Sequence, residues 1–204
     1  VNAPPSVRPA RADENSAASA VLTDAFVDEP AMNYWLRQDR KKDPARRQFF
    51  DVIVADGVHP ERELWLAESE GQAVGSAIWL GPNRKAFDYT FLEELQLAPL
   101  LMSIAGVAGA FRGLGLAEEL EKHHPSDPHA HLVFLGVAGS AQGKGVGSAI
   151  LKATLASVDA QHLPAYLETS TQRNVELYQR HGFEVTGGID KPRLHVWTMT
   201  RPAR

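Results

Sequence analysis

The sequence contains no cysteine. Disulfides, thiolate metal sites and any ping-pong route through a cysteine nucleophile are thereby excluded, and the expected setting is cytoplasmic. Basic charge is not in excess. With 21 Lys and Arg against 25 Asp and Glu the formal net charge is −4, so a nucleic-acid partner is not expected. Long apolar runs are missing too. The longest, Leu97 to Phe111, is interrupted by Pro99 and Ser103 and falls short of the ~20 residues of a membrane span. No membrane partner is expected, and the run reads as a buried helix, a substrate wall or an oligomer contact. The opening stretch, with Pro4, Pro5 and Pro9, has no apolar signal core. Internal repeats and low-complexity tracts are likewise absent.

What is present suits one globular domain over 1–204: 44% apolar and 23% charged residues in 204. Ser6 to Arg11 alternates as a first strand. Asp13 is placed to cap a helix through Ala17, Val21, Leu22 and Phe26, stopped by Glu29-Pro30. Met32 to Leu36 reads as a short helix, and Pro44 opens another carrying Phe49, Phe50 and Ile53. Glu63 to Glu68 and Gln72 to Leu80 pair across a Glu70-Gly71 hairpin turn. Helices are expected at Phe91–Leu97, Leu100–Ala108 and Leu114–His123. The strand Leu132–Val137, a helix from Gly145 to Gln161, the strand Ala165–Thr169, the helix Asn174–His181 and two closing strands, Glu184–Ile189 and Leu194–Thr200, complete a mixed α/β order around one central sheet.

The chain is organised around Leu132 to Gly147. An apolar strand ends in small residues, and a glycine cluster then opens a helix whose first N–H groups lack intrahelical acceptors, a ready anion site. Glycines at Gln142-x-x-Gly145-x-Gly147 let a pyrophosphate lie against the backbone. A Walker A loop is excluded: aligned on Gly143-Lys144, its first glycine falls on Ala138 and its Ser/Thr on Gly145. A Rossmann fingerprint lacks its acid on a second strand, since Asp159 sits late in the helix that the loop opens.

The stretch Gln142-Gly143-Lys144-Gly145-Val146-Gly147 resembles the Gln/Arg-x-x-Gly-x-Gly/Ala signature of the GNAT N-acetyltransferases. Downstream, Asn174, Tyr178 and His181-Gly182-Phe183 match that family's second block. The likeness spans roughly 131–200. The surrounding pattern looks like the small-molecule and antibiotic subgroup that includes puromycin N-acetyltransferase. It implies a single domain with a twisted mixed sheet of about six to seven strands, flanked by helices, with a helical insert before the fourth. The sheet splays open between Leu132–Val137 and Ala165–Thr169. Residues 6–130 would carry acceptor-site elements and 131–204 the acetyl-CoA core.

The implied activity is direct transfer of acetyl from acetyl-CoA to a primary amine, with no metal. An alkyl ammonium near pKa ~10 must first lose its proton. The thioester carbonyl needs a donor, and the departing thiolate needs a proton. By resemblance, the backbone N–H groups of Gly143, Lys144, Gly145, Val146, Gly147 and Ser148 hold the pyrophosphate and Gln142 belongs to the same loop; the Lys144 side chain is either a further phosphate contact or a solvated surface lysine. Leu135, Gly136 and Val137 meet the pantetheine arm, Val137 N–H polarises the thioester, and Gly136 permits a bulge. Asn174 contacts pantetheine; its bland alternative is a helix cap. Tyr178, one helical turn on, is the acid; its bland alternative is a core ring with a capped hydroxyl. His131 is a candidate base, on the parity of Val133, Leu135 and Val137, against an ordinary strand-end histidine. Glu168 is the rival, as base, amine-orienting group or ion-pair partner.

His123, His124, His129 and His131 match no zinc spacing. The acceptor side is assigned to Phe26–Leu36 and Phe87–His124, where Phe26, Tyr34 and Trp35 with Asp28, Glu29 and Asp88 suit an amphiphilic amine. Competing readings are a non-catalytic CoA-binding sensor or scaffold, and acetylation of a protein N-terminus or lysine. Whether the chain forms a homodimer is left open.

Overall fold

The computed structural model describes residues 4–55, 62–82 and 91–204, with backbone alone for 91–97. In chain order the elements are β1 (Ser6–Pro9), α1 (Asn15–Ala25), α2 (Pro30–Trp35), α3 (Lys42–Ile53), β2 (Glu63–Ser69), β3 (Gln72–Leu80) and α4 (Phe91–His123). There follow β4 (Ala130–Val137), α5 (Val146–Ala160), β5 (Ala165–Thr169), α6 (Gln172–Gln179), β6 (Glu184–Lys191) and β7 (Leu194–Arg201). The strands form one seven-stranded mixed sheet, as expected, and its order is β1-β2-β3-β4-β5-β7-β6. The hairpin turn falls at Glu70-Gly71, both at positive φ (53° and 76°), the type I′ combination that matches strand twist.

Two layers cover the sheet. On one face α5 presents Val146, Ile150 and Leu151 to Leu132, Leu167 and Met199. On the other, α1 and α3 pack Leu22, Phe49 and Phe50 against Leu66, Ile78 and Phe134, and the second half of α4 lays Leu116 over Ile189, Leu194 and Val196. Burial of these side chains, at ~1.5–3 kcal/mol each, fixes which way every strand faces.

Three expectations need correction. Asp13 caps nothing: it lies in a 3-10 turn, Ala12–Glu14, whose Glu14 carboxylate accepts the Arg11 N–H at 2.7 Å. The three expected helices over 91–123 run together as α4, interrupted only at Gly106 (φ 67°, ψ 172°). Only 28% of the apolar stretch of this helix is buried, so it is not a buried helix. By length and composition alone Ala98–His123 is long enough to cross a membrane, yet Ile104, Ala105 and Leu116 are packed into the domain.

The third concerns the bulge, which is not at Gly136. The β3–β4 register runs Ile78 to Phe134 and then Trp79 to Leu132, so the extra residue is Val133. Gly136 pairs regularly with Ser76. Its lack of a side chain serves packing: a Cβ there would lie 2.8 Å from Ala25 Cβ and 3.0 Å from Leu22 Cδ2.

Candidate active site

The parallel strands β4 and β5 are paired only from Ala130–Leu132 to Ala165–Leu167. Beyond Leu132 they part, and the expected splay is present. Ala138 N–H donates to Val74 O at 2.9 Å. Peptide groups alternate along a strand, so N–H and C=O of Leu135 and Val137 point away from β3, into the gap. The Gln142 side chain donates to Val137 O at 3.2 Å from that side and ties the loop to the strand end. Val137 N–H is therefore aimed where a thioester carbonyl can meet it.

The loop then makes two left-handed steps, Gly143 (φ 74°) and Gly145 (φ 82°). Neither is required by crowding, since a Cβ would meet nothing within 4 Å at either one. The conformation itself demands glycine. Gly145 is the N-cap of α5 and offers no side-chain cap; the first bond of the helix is Ala149 N–H to Gly145 O, at 3.0 Å. The N–H groups of Val146, Gly147 and Ser148 thus lie ahead of the ladder, at the positive end of the helix dipole. Lys144 is exposed at the loop tip. A Cβ at Gly147 would meet Leu177, Val137 and Leu135 at ordinary contact distances. The Ser148 hydroxyl lies 2.7 Å from His181 Nε2, joining the glycine loop to the end of α6. Burial first, then the charges of Arg180 and Arg201, push the His181 imidazole down.

Helix α6 begins at the N-cap Thr171. Asn174 is therefore not the cap, and its side chain makes no hydrogen bond among the described residues, which leaves it free for a ligand. Tyr178 is 5% exposed and its ring packs on Phe183. Its hydroxyl is not capped by any carbonyl among the described residues. Burial, and then the Glu29 carboxylate, push its phenol up, so the proton stays on the oxygen at neutral pH.

His131 meets Glu168: Nε2 lies 2.9 Å from Oε2. This pair sits on the opposite face of β4 from the one expected. The bulge at Val133 shifts the alternation by one residue, placing Leu132 on the α5 side with Leu135 and Val137. His131 instead faces Tyr166, at 5.2 Å between ring centroids. Burial alone would raise the Glu168 carboxyl, but the attraction of His131 and the hydrogen bond to it outweigh burial and hold the group below its usual range.

In the sequence Glu29 is one of several acids on the acceptor side; the structure singles it out. Glu29 caps α2 by accepting the Met32 N–H at 2.5 Å and also accepts from the Ser170 hydroxyl. Ser170 follows directly on β5, two residues beyond Glu168. Phe26, Tyr34 and Trp35 are half-buried and carry packing contacts. Phe26 stacks edge-on with Phe50 and Phe134, Trp35 with Phe49, and Tyr34 O accepts Arg112 Nε at 2.5 Å. Phe87 and Asp88 lie outside the described residues. Among the described residues no three His, Asp or Glu side chains are grouped to hold a metal ion.

A splayed parallel pair beside a glycine loop at a helix N-terminus, with a tyrosine hydroxyl uncapped among the described residues, is the arrangement expected of an N-acyltransferase class of protein. The sequence model of the acetyltransferase (GNAT) family matches residues 29–183, and the chain belongs to that family. It is 27% identical over 174 residues to an uncharacterised N-acetyltransferase of Schizosaccharomyces pombe, covering 81% of this chain and 69% of the other. It is 31% identical over 155 residues to a mycothiol acetyltransferase of Streptomyces scabiei, covering 68% of this chain and 48% of that one, so it spans about half of that relative's length. A solved structure of a histone acetyltransferase HPA2 and related acetyltransferase from Corynebacterium glutamicum superposes with a TM-score of 0.77 at 28% identity, covering 99% of this chain and 98% of that one. A ribosomal-protein-S18-alanine N-acetyltransferase from Escherichia coli shares the fold, with a TM-score of 0.57 at 12% identity over 97% and 93% of the two chains.

Proposed function

We propose that this acetyltransferase moves acetyl directly from acetyl-CoA to the primary amine of a small molecule, in the manner of the antibiotic-acetylating subgroup it resembles. Acetyl-CoA is the donor that the family membership implies. The observation that carries the reading is the Glu29–Ser170 contact. It sets the carboxylate that caps α2 next to the β5 end, within the electrostatic reach of Tyr178. A carboxylate there attracts an ammonium and aims it at the gap between β4 and β5. The likeness to a mycothiol acetyltransferase supports a small acceptor; the likeness to an HPA2 histone acetyltransferase supports a protein one. A pure sensor would have no use for an uncapped Tyr178 hydroxyl.

In this reading Val137 N–H polarises the thioester carbonyl and the Gly143–Ser148 segment anchors the diphosphate. Glu168, held by His131, takes the amine proton, and Tyr178 hands its proton to the departing sulfur. Release of free CoA is measured with phenethylamine and with a peptide beginning in alanine. The expected result is a higher kcat/KM on phenethylamine, reduced by Glu29→Gln through KM. Preference for the peptide would overturn the small-molecule assignment.

A further inference from the structure

Charge balance sets a requirement that the site residues above do not meet. An amine arriving as an ammonium loses two protons on becoming an amide; one returns to the thiolate sulfur, and the other must reach solvent. The groups that receive it are enclosed: His131 is 4% exposed and the Glu168 side chain 17%.

Next to them lies a cluster that the reaction has not used. The His124 ring stands 5.2 Å from the His131 ring, 5.0 Å from Tyr166 and 4.7 Å from His129, centroid to centroid. Three ring nitrogens in this cluster are buried with no hydrogen-bond partner among the described residues: His124 Nε2, His129 Nε2 and His131 Nδ1. With the other nitrogen of each ring at a carbonyl or carboxylate, these are lone pairs positioned to accept a proton. His129 is itself buried. His124 is half-buried, so it alone of the three spans from the cluster to the surface.

We propose that His124 is a proton-exit residue, passing the amine proton from the His131–Glu168 pair to solvent. The proposal rests on the reading of that pair as the base. The proton leaves the ammonium for a Glu168 oxygen, while His131 keeps its own Nε2 proton on that carboxylate. From Glu168 it passes through water to the lone pair of His124 Nε2, and His124 gives up its Nδ1 proton at the surface. One proton enters and one leaves, and no bond to carbon changes. Groups facing His124 are His129 and His131, whose positive charge would speed release, and Glu168, Tyr166 and the nearby Glu121. Burial first, then His131 and His129, push the His124 imidazole down, which favours release at neutral pH. Tyr166 cannot substitute, because burial and the Glu168 charge push its phenol far up.

The test uses an acceptor pair differing in the proton carried: phenethylamine and 2,2-difluoro-2-phenylethylamine, or, for a peptide-preferring enzyme, an alanine-first peptide and its trifluoroalanine counterpart. The fluorinated amine binds largely neutral at pH 8 and brings no surplus proton. His124→Phe, which keeps the ring contacts, is expected to lower kcat about tenfold on the ordinary amine and less than about twofold on the fluorinated one. His124→Ala is expected to show the same split and to recover with added imidazole. Equal losses on both amines without imidazole response, or no loss on either, would overturn the proposal. Glu168→Gln tests the base separately: full turnover in that variant removes the base reading, and the relay with it. Unchanged acetyl-CoA affinity in the His124 variants confirms that they fold.

Discussion

His131 and Glu168 are 37 positions apart, yet their side chains meet at 2.9 Å. They do so because β4 and β5 run parallel with His131 beside Tyr166, just before the strands separate. The pairing that fixes the sheet also fixes this imidazole–carboxylate pair at the mouth of the gap, and what the rest of the site contributes can be tested residue by residue.

Tyr178→Phe removes one oxygen and leaves the ring packed on Phe183. If the hydroxyl supplies the proton to sulfur, kcat falls about a hundredfold while acetyl-CoA affinity stays within about twofold of wild type. Steady-state kinetics together with calorimetry separate the two. A parallel drop in affinity would mean that the ring, and not its proton, is what matters.

Acetyl-CoA should stabilise the fold, since it binds a structure that the unfolded chain lacks. At a hundredfold excess over Kd the gain is about 2.7 kcal/mol, read as a rise in Tm. Gly145→Glu is expected to abolish that ligand-dependent rise. The variant is strained at φ 82° even without ligand, so the difference between loaded and unloaded protein is the quantity to compare.

Gly136→Ala is expected to cost about 1–3 kcal/mol, because the new methyl group would press on Ala25 and Leu22 of α1. Gly139→Ala, whose Cβ would meet only Asp24 Oδ2 at 3.7 Å, should stay within about 0.5 kcal/mol. Urea unfolding of both variants decides. Equal stability would show that α1 yields at Gly136.

The Arg8 guanidinium grips Glu14 through two hydrogen bonds, at 2.7 and 2.8 Å. With the Arg11 N–H it holds the Glu14 carboxyl at about 2, against an ordinary 4.5. A carboxyl depressed in the folded state adds stability that is fully present above its unfolded value and fades as pH falls toward 2. Glu14→Gln should therefore be less stable than wild type at pH 6, with the gap narrowing by pH 3. Denaturant midpoints at the two pH values check this. A gap independent of pH would point to packing instead of charge.

Much of this was legible in the sequence because the signals are local. The Glu70-Gly71 turn, the apolar run into Gly143–Gly147, and the Tyr178 to Phe183 block each declare their structure within a few residues. What could not be read depends on distant partners. Val133 is a β-branched residue in a hydrophobic run and carries no mark of the bulge it makes, so the face assigned to His131 came out reversed. Gly136 looked like a bulge residue because the helix that crowds it lies more than a hundred positions earlier. The helix α4 was divided at its glycines, of which only Gly106 departs from helical geometry. The Glu29–Ser170 contact joins residues 141 positions apart, and neither has a local pattern.

The separation of β4 from β5 places two strand edges in the interior of a sheet, where sheets ordinarily have none. Leu135 and Val137 present backbone groups there with no neighbouring strand to receive them, and an extended molecule with its own amides is their natural complement. In the proposed reaction the donor's arm would complete the sheet as a borrowed strand does. Until it arrives, that seam is where the domain should open first and exchange its amide hydrogens fastest, and where another extended peptide could lodge in its place.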